Sequence, residues 1–191
     1  TEDRERHNYI VMGPWSHGQW SDDPGASLGR IQFGSPTGEY FRREIQAKWF
    51  RRYLHGGDKS AMPEAQVFDA GTNEWRSFEA WPPRESSQRS IYMQARGRLT
   101  FDAPTGDEGY DEYVSDPGHP IPYRTRPIEW TYGPGSRWAP WMTEDQRFVD
   151  GRSDVLVWQT DPLTADVRVA GQITARLFAS TTGADADWVV K

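Results

Sequence analysis

The residues best placed to do chemistry are Gly13-Pro14-Trp15-Ser16-His17-Gly18, which follow the short apolar run Tyr9-Ile10-Val11-Met12. An imidazole titrates near neutral pH, so it can take up a proton and return it within one catalytic cycle. A β-branched and aromatic run ending in Gly-Pro reads as a buried strand that stops sharply, because proline cannot continue a ladder and glycine frees the backbone. His17 then hangs beyond the strand's carboxyl end, where open α/β sheets collect their reactive groups. The competing reading is a surface-loop histidine with no catalytic part, since a lone imidazole says little by itself.

Three other groups invite a chemical role. Gly25-Ala26-Ser27-Leu28-Gly29 matches the G-x-S-x-G pattern of a nucleophile elbow. An elbow needs an apolar strand ahead of it and a helix directly behind, whereas Ser21-Asp22-Asp23-Pro24 precedes this one and its proline would interrupt any strand. Ser27 is therefore rejected as a nucleophile and assigned to shaping the loop. Asp22 and Asp23 lie close to His17 in sequence, but a carboxylate that orients an imidazole must reach the ring nitrogen opposite the nucleophile, and it normally comes from another strand end. Both read as a solvated turn before Pro24. His7, His55 and His119 have no metal-ligand spacing relative to one another, so no metal and no cofactor are expected.

The elements that must hold His17 are partly legible. From Thr37 to Leu54, Phe41, Ile45 and Trp49 follow helical three-four spacing, with Phe50, Tyr53 and Leu54 filling the flank and basic residues opposite. Pro36 precedes this helix, Thr37 is read as its N-cap, and His55-Gly56-Gly57 offers glycine at the stop. Gln66-Val67-Phe68 starts an extended segment, Thr72-Asn73-Glu74-Trp75-Arg76 reads as a turn, and Trp81-Pro82-Pro83 breaks the chain.

Beyond Arg84 no helical period appears. Ser90 to Gln94, Asp154 to Gln159, Val167 to Ala170 and Gln172 to Ala179 read as strands, the last with Ile173, Ala175, Leu177 and Ala179 on one face. A second, all-β domain is expected from about residue 85. Between Gly97 and Asp150 runs a long irregular stretch carrying Tyr110, Tyr113, Tyr123, Trp130, Tyr132, Trp138 and Trp141. Loops of this length are functional or packed across a neighbour, so this one is read as wrapping a seam between the domains. Trp138 and Trp141 are candidate substrate-pocket residues there, with packing at the seam as the bland alternative.

Composition removes several classes. A net charge of −6, with 22 basic residues spread along the chain, offers no basic stripe for nucleic acid. No apolar run approaches the roughly 20 residues that cross a bilayer, so no membrane role is expected, and the charged start Thr1-Glu2-Asp3-Arg4-Glu5-Arg6 does not resemble a targeting peptide. The absence of cysteine excludes disulfides, thiolate metal sites and a cysteine nucleophile. Ten tryptophans suit packed seams, an aromatic pocket or, in a different class of protein, a non-catalytic β-sandwich that stacks sugar rings. The helix and the His17 loop have no use in such a module.

Taken together, the strand with Met12-Gly13-Pro14-Trp15-Ser16-His17, Glu74-Trp75, Ala80-Trp81-Pro82, Glu112 to Pro117, Asp145 to Arg152, Asp161-Pro162-Leu163-Thr164 and Ala179 to Gly183 resemble one group. It is the cocaine esterase and X-prolyl dipeptidyl peptidase group of α/β hydrolases, and within it most closely the α-amino-acid ester hydrolases. The resemblance implies the C-terminal end of an α/β-hydrolase domain over residues 1–84, followed by a partial jelly-roll β-sandwich over residues 85–191. It implies a serine hydrolase acting through an acyl-enzyme on small esters or amides, such as α-amino acid esters and β-lactam side chains, with an X-prolyl dipeptidyl peptidase as the alternative. It further implies a secreted or periplasmic homo-oligomer. His17 would be the triad histidine, with the nucleophile and the acid upstream of Thr1 in the order Ser, Asp, His. The chain is thus expected to be a fragment, inactive alone.

Overall fold

The computed structural model describes residues 8–56, 62–106, 109–124, 126–128, 130, 136 and 141–191. Among them strands predominate, all short, and helices are few. The strand read after Tyr9 forms as β1 (Ile10–Met12). The chain then makes a single 3-10 turn at Gln19–Ser21 and a small hairpin, β2 (Ser27–Leu28) against β3 (Ile31–Gln32). A helical stretch follows, as α1 (Thr37–Tyr40), a π-helical segment at Phe41–Gln46, and α2 (Ala47–His55). It leads to β4 (Ala65–Asp69) and β5 (Glu74–Phe78).

β1 pairs parallel with β4, Ile10 facing Ala65, and β4 pairs antiparallel with β5, Ala65 facing Phe78. The order in this sheet is β1-β4-β5. Strand, helix and parallel strand make one crossover unit, and β4 lies at its centre because it alone has neighbours on both sides. Burial follows the pairing: Ala65 and Phe68 on β4 are buried. Ile10 and Met12 on β1 are exposed. The expectation of a buried first strand is corrected here, since among the described residues β1 has one partner strand and forms an edge.

The helix stands where the apolar spacing put it, with Ile45 buried at 3% exposure. Gly56 stops it in the left-handed conformation at φ 61°, its N–H bonding the carbonyl of Arg51, a backbone shape that glycine adopts without strain. Gly57 lies outside the described residues. Two details differ from expectation. The π-helical segment takes in an extra residue per turn and rotates the face that follows, and Phe50, Tyr53 and Leu54 on the flank are exposed. Thr37 is the first residue of the helix rather than its cap, and its hydroxyl serves tertiary bonds instead.

Glu74 to Arg76, read as a turn, belong to β5; the turn is Ala70 to Asn73, where Asn73 takes φ 56°. The carboxylate of Asp69 organises it. Its Oδ1 accepts from the N–H of Gly71 (3.0 Å) and Thr72 (3.3 Å), and its Oδ2 accepts from Arg76 Nε (2.8 Å) and Arg168 Nε (3.0 Å). Partial burial pushes this carboxyl up, but the hydrogen bonds and the charge of Arg168 outweigh it and hold the group below the usual carboxylate range.

In the second half, β6 (Tyr92–Gln94) and β7 (Arg98–Thr100) form a hairpin, Tyr92 facing Thr100. Of the strand read at Asp154 to Gln159 only an isolated bridge is present, Gln159 with Arg98, held by Leu99 N–H to Gln159 O (2.9 Å) and Gln159 N–H to Gly97 O (2.8 Å). Val167 to Ala170 and Gln172 to Ala179 have no ladder, which corrects both strand expectations. Alternation marks a segment able to lie on a sheet, but cross-strand neighbours make the strand, and Ile173 at 82% exposure has none covering it. Two described contacts carry this segment back: Arg168 pairs with Asp69 on β4, and Gly171 lies against the ring of Pro82 beyond β5.

Candidate functional site

His17 projects from the turn that follows β1, on the carboxyl side of the strand, and its side chain is exposed. Its ring meets Trp20 edge-on at 6.1 Å between centroids. From Trp20 a series of ring contacts runs inward through Trp15 (6.3 Å), Trp75 (5.7 Å), Phe68 (5.6 Å) and Phe33 (5.5 Å), the last two buried. Tilted and edge-on aromatic pairs of this kind add to the area they bury. Tyr40 stacks on Trp75 at 5.5 Å, and Phe41 packs on Trp15 at 5.1 Å, so the helix supports the same aromatic column.

Polar bonds hold the loop from both sides. Trp15 Nε1 donates to the Thr37 hydroxyl (2.8 Å), which donates in turn to the carbonyl of Gly25 (2.6 Å). Thr37 is fully buried, so each of these groups would lack a partner without the others. Gly25 sits at φ 70°, and a Cβ there would lie 2.6 Å from the backbone nitrogen of Gly38. Only glycine meets both demands. From the helix, Arg42 Nη1 donates to the carbonyls of Trp20 and Asp23, both at 2.9 Å.

The other sequence candidates fall into place around this loop. Ser27 lies on β2, in a hairpin rather than a strand-to-helix elbow, and its carbonyl accepts from Gln19 Nε2 at 2.9 Å. Asp23 Oδ1 accepts from the N–H of Gly25 (2.7 Å) and from Gln19 Nε2 (3.3 Å), and Asp22 accepts from the Ser21 hydroxyl (3.3 Å). Both carboxylates thus bond within the turn. His119 pairs with Asp116 at 2.7 Å, His55 ends α2, and His7 lies outside the described residues. No cluster of metal-binding side chains occurs among the described residues.

Trp138 also lies outside the described residues. Trp141 packs edge-on against Tyr123 at 5.9 Å, and its carbonyl accepts from the N–H of Glu144. Glu144 reaches the buried Arg124 at 3.5 Å. Trp20 and Tyr123, the ring neighbours of His17 and Trp141, belong to different parts of the chain. A groove of about 370 Å³ lies elsewhere again, between β1 and the helix, where Ile10, Phe41, Ile45, Trp49 and Phe50 line it. His17 is not among its lining residues, and its apolar walls suit packing rather than proton transfer.

Sequence reasoning missed Gln19 and Arg42, the two side chains that bind the loop to itself and to the helix. Gln19 is a polar loop residue that follows no period, and its only local hint was its place among Gly, Ser and Asp turn residues, while Arg42 stood out only as one of several basic residues on the polar side of the helix.

Residues 58–191 match the family of X-Pro dipeptidyl-peptidase C-terminal non-catalytic domains, and the chain belongs to this family. The match takes in β4 and β5 and leaves His17 outside. The chain is 28% identical over 192 residues to the cocaine esterase of Rhodococcus sp. (strain MB1 Bresler), an alignment covering 95% of this chain and 32% of that protein. Two solved structures are similar. One is an aminopeptidase from a marine sediment archaeon, Thaumarchaeota archaeon, at 41% identity and TM-score 0.80, covering 88% of this chain and 28% of that one. The other is an α-amino acid ester hydrolase labelled with selenomethionine, at 38% identity and TM-score 0.75, covering 86% of this chain and 27% of that one. The chain therefore spans about a third or less of each of these proteins. Its relatives are hydrolases, as the resemblance in sequence implied.

Proposed function

We propose that these residues belong to a serine hydrolase in which His17 is the general base and general acid of a Ser-His-Asp triad. The observation that carries this reading is the placement of His17: it is exposed on a hydrogen-bonded turn directly beyond the carboxyl end of a strand in a parallel pair. Reactive groups of α/β sheets gather at that edge. The names of the relatives, esterases and an α-amino acid ester hydrolase among them, supply the reaction class.

In this reading residues 1–84 end an α/β-hydrolase sheet and residues 85–191 begin a jelly-roll β domain. The crossover from β1 through the helix to β4 supports the first assignment, and the exposed edge of β1 beside an apolar groove is a surface against which such a sheet continues. The serine and the acid are contributed by parts of the longer protein, and Ser27 does not replace the nucleophile. His17 would take the serine proton as the acyl bond forms, give it to the departing alcohol or amine, and then activate the deacylating water. Substrates are small esters or amides of α-amino acids.

Replacing His17→Ala in the longer protein should lower kcat for an α-amino acid p-nitrophenyl ester by about 10⁴-fold or more. Near-normal turnover would sink the assignment. A second reading keeps the fold and the triad but makes the protein an X-prolyl dipeptidyl peptidase, and the description of the matched family favours it. Comparing kcat/KM on glycyl-prolyl p-nitroanilide with that on the ester separates the two.

A further inference from the structure

We propose that Gln19 is the positioning residue for His17, fixing the turn that carries the imidazole; the proposal rests on the reading of His17 as a general base. Two residues beyond His17, the Gln19 side chain makes four hydrogen bonds. Its Oε1 accepts from the N–H of Ser16 (3.1 Å) and from the Ser16 hydroxyl (3.3 Å). Its Nε2 donates to the carbonyl of Ser27 (2.9 Å) and to Asp23 Oδ1 (3.3 Å). Its backbone N–H adds a bond to the carbonyl of Ser16 (3.1 Å).

The chemistry of these four partners selects the side chain. Two are donors on one side and two are acceptors on the other, and a carboxamide presents an acceptor and a donor at one end with that same division. Reversing the amide would set oxygen against oxygen and nitrogen against donor, so its orientation is determined by its neighbours. A glutamate could keep the Ser16 bonds but would face Asp23 with a second negative charge. A hydrocarbon would satisfy none of the four.

The consequence falls on His17. Ser16, immediately before it, is buried, whereas His17 is exposed and its ring touches only the edge of Trp20 among the described ring contacts. The position of the imidazole is therefore set through its backbone rather than through its own side chain. Gln19 grips the peptide ahead of His17 and ties it to the far arm of the loop at Ser27, while Arg42 holds the carbonyls of Trp20 and Asp23 from the helix. Displacing a general base by about 1 Å is enough to cost on the order of 10²-fold in rate.

The test uses the longer protein, with p-nitrophenyl acetate as substrate and end-point titration by a fluorophosphonate to count competent sites. Gln19→Ala should lower kcat per titrated site by about 10- to 100-fold, with KM changed by less than about threefold. Gln19→Glu should lose less, and adding Asp23→Asn to it should recover part of the loss by removing the charge opposition. A purely structural role would reduce the number of titrated sites and leave kcat per site unchanged, and that result in either soluble variant overturns the proposal. Should Gln19→Ala fail to fold, the Gln19→Glu pair decides. Failure of the underlying reading is seen separately, as undiminished turnover in His17→Ala.

Discussion

The loop that carries His17 and the run from Asp161 to Lys191 are both irregular, yet they are held in opposite ways. In the first, Ser16 and Gly25 are buried, as are Thr37 and Gly38 of α1 beside them, seven aromatic rings stand in contact, and Gln19, Thr37 and Arg42 close polar bonds across the loop. In the second, only Ala170 and Gly171 are partly covered, and Ile173, Phe178 and Val189 are each more than 80% exposed. Lack of regular structure therefore says nothing about order. A loop is fixed by partners for its backbone and by side chains that reach the core, and the first region has both.

The contrast can be tested by substitution. Phe68→Ala removes the ring on which the aromatic column rests, buried on the central strand, and should destabilise the chain by about 3–5 kcal/mol. Urea unfolding followed by tryptophan fluorescence measures it, and a loss below about 1 kcal/mol would mean the column does not anchor the loop. Thr37→Val keeps the shape but removes the hydroxyl between Trp15 and Gly25, leaving an indole N–H and a carbonyl without partners. A loss of about 1–3 kcal/mol is expected in the same assay. Phe178→Ser should change stability by less than about 0.5 kcal/mol, since its ring is fully exposed. A larger effect would show that the second region is covered in solution and would dissolve the comparison.

How far sequence led to this picture depended on whether a feature was local. Gly13-Pro14 ends β1 and Gly56 ends α2 through backbone rules that act within a few residues, and the helix between Thr37 and His55 followed from its apolar spacing. Glu74 to Arg76 were misread because the turn-forming Thr72-Asn73 lies just before them, and only pairing with β4 makes them a strand. The same limit, in the other direction, turned the alternation at Gln172 to Ala179 into a strand that has no neighbour. At Thr37 a residue suited to cap its own helix instead bonds Trp15 and Gly25, a choice made by tertiary contacts. Around His17 the sequence pointed to the imidazole and its place after β1, but not to Gln19, whose four partners are brought together only when the loop closes.

The two ladders of the main sheet differ in what they demand of the connecting chain. The β4–β5 register is set by a turn of Ala70 to Asn73, where one added residue would shift every pair and send side chains to the opposite face. The β1–β4 register joins Ile10 to Ala65 across the His17 loop and the whole helix, and no tight turn dictates it. Closing a flexible connection costs only about 0.6 kcal/mol more for each doubling of its length. Added length is thus cheap for the β1–β4 register and expensive between Asp69 and Glu74, so the same three-stranded sheet is tolerant of length on one side and strict on the other.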